Sequence, residues 1–176
     1  MEAADPNLSR TDRARTWILA LRTRFKTIIL GTASPEGEPD ASVAGAILAT
    51  DGSFCIYVSG LATHTHHLLA TGRASVLLAE DESATTQPLA RRRLTFPCTA
   101  ERIARDTADF TTSMHALRET LGPAFDLLAH LGDFQLIRLV PQRGRLVAGF
   151  GETYDLNPHD WSLLTPIGPP GRRPAA

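Results

Sequence analysis

The chain has 176 residues, 43% of them hydrophobic and 21% charged, with a formal net charge of -1. That length supports one domain with its own core, and a charge so near zero offers no electrostatic ground for binding a nucleic-acid backbone or an anionic membrane. The apolar runs fall far short of a bilayer span and Met1–Asp5 lacks the basic and apolar regions of a signal peptide, so a cytoplasmic protein without a membrane role is expected.

Residues 1–8 read as a disordered N-terminus. From Ser9, an N-cap residue, the spacing of Ala14, Trp17, Ile18, Leu21 and Phe25 predicts a helix with one buried face. Thr27–Thr32 reads as a buried strand, Ser34-Pro35-Glu36-Gly37-Glu38 as a hairpin turn, and Asp40–Thr50 as the returning strand. Asp51-Gly52 marks a tight turn into a third strand, Phe54–Ser59. A short helix follows over Gly60–Thr71, capped by Ser59 or Thr63, then a strand over Ala74–Ala79 and a polar loop over Glu80–Ala90. Leu94, Phe96, Cys98 and Ala100 alternate with polar residues as a half-buried strand requires, and Pro97 places that strand at an edge or bulge. Phe110, Met114, Leu117 and Leu121 predict a helix, followed by a helical turn over Ala124–Leu131 and a last hairpin of Phe134–Val140 and Arg145–Phe150. The split between a 9–156 domain and a 157–176 tail rests on the prolines and glycines that crowd the C-terminus. Mostly antiparallel strands with short helices between them suggest a small closed barrel, an α+β β-barrel with flanking helices.

The residue types that carry chemistry are concentrated between Tyr57 and Phe96. Free amides at the start of a helix favour an anion, and His64 and His67 share a face of it, while no cysteine or carboxylate completes a metal set at a familiar spacing, so no metal ligands are assigned. The His-rich helix reads either as surface decoration or, with its hydroxyls and His64, as an anion site. Arg91-Arg92-Arg93 reads either as a solvated run or as a bidentate grip on phosphate, with Thr95 beside it. All the basic residues but Lys26 are arginine, a bias that suits such a grip and that a GC-rich genome also explains. Asp133 either caps a turn or orients water or a histidine, and Gly149-Phe150-Gly151 either passes close to something flat or forms a bulge. Cys55 and Cys98, inside apolar runs, read as buried small hydrophobes. Dinucleotide, P-loop and nucleophile-elbow motifs do not occur.

The segments TIILGTASPEGEPDASVAGAIL, YVSGLATHTHHLLATGRASVLLAEDE, PLARRRLTFPCTAERI and GDFQLIRLVPQRGRLVAGFGETYDL resemble the haem-utilisation branch of the pyridoxamine-phosphate-oxidase-like, FMN-binding split-barrel superfamily, over about residues 15–156. The resemblance implies a six-stranded antiparallel split barrel of the FMN-binding type, acting as a homodimer with cofactor sites at the interface. It implies FMN, with haem as the alternative. Ser42 and Val43 would line the flavin ring, and Ser59, His64, Thr65, Arg92, Arg93 and Thr95 would bind the cofactor. His64 and Asp133 are the candidate catalytic groups for a flavin-dependent oxidoreductase acting on a small molecule. In the haem alternative, Asp133 tunes the site and a C-terminal histidine ligates iron, the tail here holding only His159. A cofactor-binding protein without catalysis is the third reading.

Overall fold

Alternation of apolar and polar side chains along successive segments gives each strand an inward and an outward face, and closing those strands into a ring buries the inward set. The computed structural model describes residues 8–85 and 87–167. In chain order the elements are α1 (Arg10–Arg24), β1 (Thr27–Ala33), β2 (Pro39–Leu48), β3 (Phe54–Ser59), α2 (Thr63–Thr71), β4 (Arg73–Ala79), β5 (Arg93–Ile103), α3 (Ala108–Leu121), α4 (Ala124–Ala129), β6 (Phe134–Pro141), β7 (Gly144–Gly149), β8 (Glu152–Leu156) and β9 (Leu163–Ile167). All strand pairings are antiparallel, in the order β4-β1-β2-β3-β6-β5-β7-β8-β9, and a further β4–β5 pairing closes β4, β1, β2, β3, β6 and β5 into the six-stranded split barrel. β7, β8 and β9 extend from β5 outside the ring.

The barrel interior is filled by Ile28, Leu30, Ala44, Ala46, Phe54, Ile56, Val76, Leu78, Leu94 and Phe96 among others. β3 is buried along nearly its whole length because it has two covered faces. Phe54, Ile56 and Val58 point into the barrel, while Cys55 and Tyr57 pack outward against Leu117 of α3 and Phe125 of α4. Both cysteines are free and buried, and burial pushes the Cys98 thiol up to about 12, so it stays un-ionised at neutral pH.

Ser9 caps α1 by accepting from Asp12 N at 3.1 Å, and Ala14 and Ile18 are the helix positions buried against the barrel. Pro97 lies at neither an edge nor a bulge. Its carbonyl accepts from Gln142 N at 2.9 Å, so its nitrogen also faces the junction where β5 changes partner from β7 to β6, and no ladder donor is lost there.

The C-terminal segment also departs from the sequence expectation. The domain boundary drawn at 156 cuts through a folded region, since β9 pairs with β8 and Trp161, 1% exposed, enters the barrel core. Its ring lies 5.1 Å from Phe96, 5.8 Å from Phe54 and 6.2 Å from Phe25, and Arg22 sits 5.7 Å above it. Prolines and glycines in this stretch suggested an arm because one buried aromatic carries no local signal of its own. Residues 1–7 of the expected disordered N-terminus and residues 168–176 of the expected tail lie outside the described residues.

Trp161→Ala removes the largest side chain in this aromatic cluster and opens a cavity. Stability should fall by about 3–5 kcal/mol, read as a lower urea midpoint with an unchanged slope.

Candidate functional site

The ladder between β3 and β6 sets the first group of candidate residues. Ser59 stands opposite Phe134, and the ladder runs one step further through Gly60 N to Asp133 O at 2.9 Å. Two residues 74 positions apart thereby meet, with Ser59 Oγ donating to Asp133 Oδ2 at 2.6 Å. Gly60 is required by this approach, because a Cβ there would lie 2.7 Å from the Asp133 carbonyl. Arg105 donates to the Phe134 carbonyl at 2.7 Å and holds the entry to β6 next to that aspartate.

α2 then covers this end of the barrel. Neither Ser59 nor Thr63 caps it: the N-cap is Ala62, with no side-chain cap, because the Ser59 hydroxyl is already engaged by Asp133 and by Leu61 N at 3.2 Å. Thr65 is 0% exposed and donates to the Ser59 carbonyl at 2.6 Å, so it positions Ser59 and presents nothing to solvent. His64 and His67 turn inward toward the strands. Ser42 Oγ lies 3.1 Å from His64 Nδ1, and Thr32 Oγ1 lies 3.1 Å from His67 Nδ1. Burial pulls the His64 pKa below its usual value, reinforced by His67 and opposed by Asp40. Gly72, in the left-handed conformation at φ 64, ends the helix and turns the chain into β4.

The second group lies on the outer face of the barrel. Val43, Ile29, Leu77, Thr95, Arg145 and Asp155 form one continuous cross-strand row, each paired with the next. Arg93 and Thr95 share that face with Arg143, Arg145, Val147 and Thr153 around a cavity of about 660 Å³. Arg93 donates to the Arg91 carbonyl at 3.0 Å, and Arg145 is 3.8 Å from Asp155. The guanidiniums and the threonine hydroxyls give this groove the donor set of an anion site.

The structure therefore divides the residues that the sequence groups around one anion. Ser42 and Val43, being neighbours on a strand, point to opposite faces. Arg92 joins neither group: it pairs with Glu80, with Nε 3.1 Å from Oε1, and lies 5.4 Å above the Trp17 ring beside α1. Arg93 pairs with Ala79 at the far end of β4, while Thr99 pairs with Arg73, where α2 hands over to that strand. β6 enters beside the C-terminal end of β5, with Leu136 opposite Ile103 and Asp133 beyond it, so within one subunit the arginines and the Ser59–Asp133 pair lie toward opposite ends of β5. Arg143, Arg145 and Thr153 were missed because only the β5–β7–β8 pairing brings them beside Arg93. His159 lies away from Asp133, its Nδ1 3.2 Å from the Asp51 carbonyl at the β2–β3 turn.

Among the described residues no cluster of three or more His, Cys, Asp and Glu side chains could hold a metal ion, and no helix is long and apolar enough to cross a membrane. Residues 15–148 match the family model described as pyridoxamine 5'-phosphate oxidase. The chain is 34% identical over 143 residues to heme oxygenase HutZ of Vibrio cholerae, covering 81% of each protein. A crystal structure of HutZ from Vibrio cholerae, described there as a heme storage protein, superposes with a TM-score of 0.69 at 31% identity, covering 72% of this chain and 89% of that one. A heme binding protein from Mycobacterium smegmatis gives 0.70 at 27% identity, covering 88% of this chain and 60% of that one. With the closed barrel, its β7–β9 extension and the Ser59–Asp133 junction, these likenesses show that the chain belongs to the pyridoxamine 5'-phosphate oxidase family, in its haem-utilisation branch.

Proposed function

We propose that this protein binds haem in iron utilisation, as a homodimer in which each ligand lies between two subunits. The observation that carries the reading is the outer groove, where Arg93, Arg143 and Arg145 adjoin the apolar row of Val43, Ile29 and Leu77. A flat apolar ring with carboxylates at one edge matches that combination, the guanidiniums taking the carboxylates and the apolar row taking the ring. The likeness to HutZ supports it. Flavin, the first expectation from sequence, finds the same cations but loses two expected phosphate contacts on α2, with Thr65 buried and His64 turned to Ser42. Bound haem would supply oxygen activation at its iron. The protein's own part is to hold the anionic edge and to place the Asp133 carboxylate, oriented by Ser59, near the ligand.

The apolar row also supports the dimer. Val43 is 67% exposed and Ile29 40% exposed on a sheet face that a lone barrel leaves in water. A two-fold axis lying in the plane of that interface and running across the strands brings the two copies of the face together and reverses strand direction between them. The arginine groove of one copy then approaches the α2 end of the other, uniting groups that lie toward opposite ends of β5 in one subunit. This assembly carries the small-molecule role, with no part for nucleic acid or membrane.

Hemin titration should give a saturable Soret band, while FMN titration should leave flavin fluorescence unquenched; the reverse pattern restores the flavin reading. Arg93→Ala with Arg145→Ala should weaken hemin binding by about 1.5–3 kcal/mol per arginine if both bonds are charge-assisted. His159→Ala should leave the Soret band unchanged, because that imidazole is held at the Asp51 carbonyl. Light scattering should find a dimer. Mixing the arginine variant with Asp133→Ala and allowing subunits to exchange should restore part of the binding, and a monomer with full hemin affinity would sink the shared site.

A further inference from the structure

Two histidines on one face of α2 reach hydroxyls that point inward from two neighbouring strands: His64 reaches Ser42 of β2, and His67 reaches Thr32 of β1. Ser42 and Thr32 have the same facing as the core residues Ala44 and Leu30, so these contacts close the polar end of the barrel interior. Leu68, 2% exposed, and Thr65 complete the seal. Most of the remaining helix surface is exposed, including His66 and Leu69. His64 Nε2 is buried and has no hydrogen-bond partner.

We propose that α2 is an acid-released latch on the open end of the barrel, fastened by the His64–Ser42 and His67–Thr32 contacts and loosened when His64 gains a proton. Neutral His64 has Nδ1 at Ser42 and Nε2 in the interior without a partner, and only one of the two nitrogens carries a proton. In the cation both nitrogens are donors, Nε2–H has no acceptor, and a charge left buried without a partner is far more costly than a neutral ring. The groups acting on that charge are Asp40 from β2, which favours it, and His67 from the same helix, which opposes it. Burial, with His67 acting in the same direction, outweighs Asp40, and the folded-state pKa lies below the unfolded value of 6.5. A depressed histidine pKa gives a contribution to stability that is fully present above the unfolded value and is lost as pH falls through 6.5 toward the folded one. The loss falls on α2 first, since its purchase on β1 and β2 is mostly polar and the rest of the barrel is held by ladders and an apolar core. The latch is a property of the free chain and does not rest on the haem reading.

Amide hydrogen exchange on the full-length, ligand-free protein tests it, with rates corrected for the intrinsic pH dependence of exchange. Between about pH 7.5 and about pH 5.5, protection across α2 should fall several-fold while β3 and β6 keep theirs, with about tenfold the most that one histidine of unfolded value 6.5 supplies over that range. His64→Asn places an amide nitrogen or oxygen near the Nδ1 position but does not titrate, so it should abolish that pH dependence. Constant protection of α2 in the wild type, loss shared equally by the whole barrel, or an undiminished response in His64→Asn would each overturn the latch. If His64→Asn folds poorly, Ser42→Ala, which removes the other half of the contact, should already open α2 at about pH 7.5; full protection there has the same adverse meaning.

Discussion

The antiparallel ladder between β3 and β6 does more than any other single feature to organise this molecule. It joins strands about eighty residues apart in sequence, pairing Phe54 with Leu139 at one end and Ser59 with Phe134 at the other. Because the side-chain period of a strand is two, a slip of one residue would turn Phe54, Ile56 and Val58 out of the barrel and break the packing of Cys55 and Tyr57 under α3 and α4. The same register delivers Ser59 to Asp133, so the core and the candidate site are consequences of one pairing. No local interaction around Asp133 could replace it, since Asp133 is exposed and its neighbour Gly132 has no side chain.

From that junction the polar end of the barrel follows in order. Gly60 passes close to the Asp133 carbonyl, Thr65 returns a hydroxyl to the Ser59 carbonyl, and α2 is drawn across the opening. A barrel of this size fills its interior with side chains, and at this end the filling changes from aliphatic to hydroxyl and imidazole. At the other end the plug is aromatic, with Trp161 returning from beyond β8 to pack on Phe25, Phe54 and Phe96. One end is thus sealed by burial and the other by hydrogen bonds to titratable groups. This difference localises any response to pH.

The distribution of arginine carries the second theme. Adjacent residues at the head of β5 have separate fates, with Arg92 drawn to Glu80 and Trp17 on the α1 side and Arg93 facing the outer groove. A run of like charges is therefore divided between a structural ion pair and a free-standing donor set.

Much of the architecture was legible in the chain itself. Apolar runs at 27–32 and 54–59 and alternation over 94–100 marked strands, Ser9 marked the start of α1, and the barrel with its family followed from these segments and their motifs. Locally encoded features read well because propensity, capping and period-two patterning act over a few residues. Side-chain partnership is not local. Nothing near His64 announces Ser42, nothing near Arg93 announces Arg143 and Arg145, and a single tryptophan in a proline-rich stretch does not announce a core. Sequence by itself settled most of the strands and helices as far as Phe150 and which family they form, but not β8 or β9. Only the tertiary structure decided which side chains meet, because register, barrel closure and the two faces of each strand emerge from pairings between residues far apart in the chain.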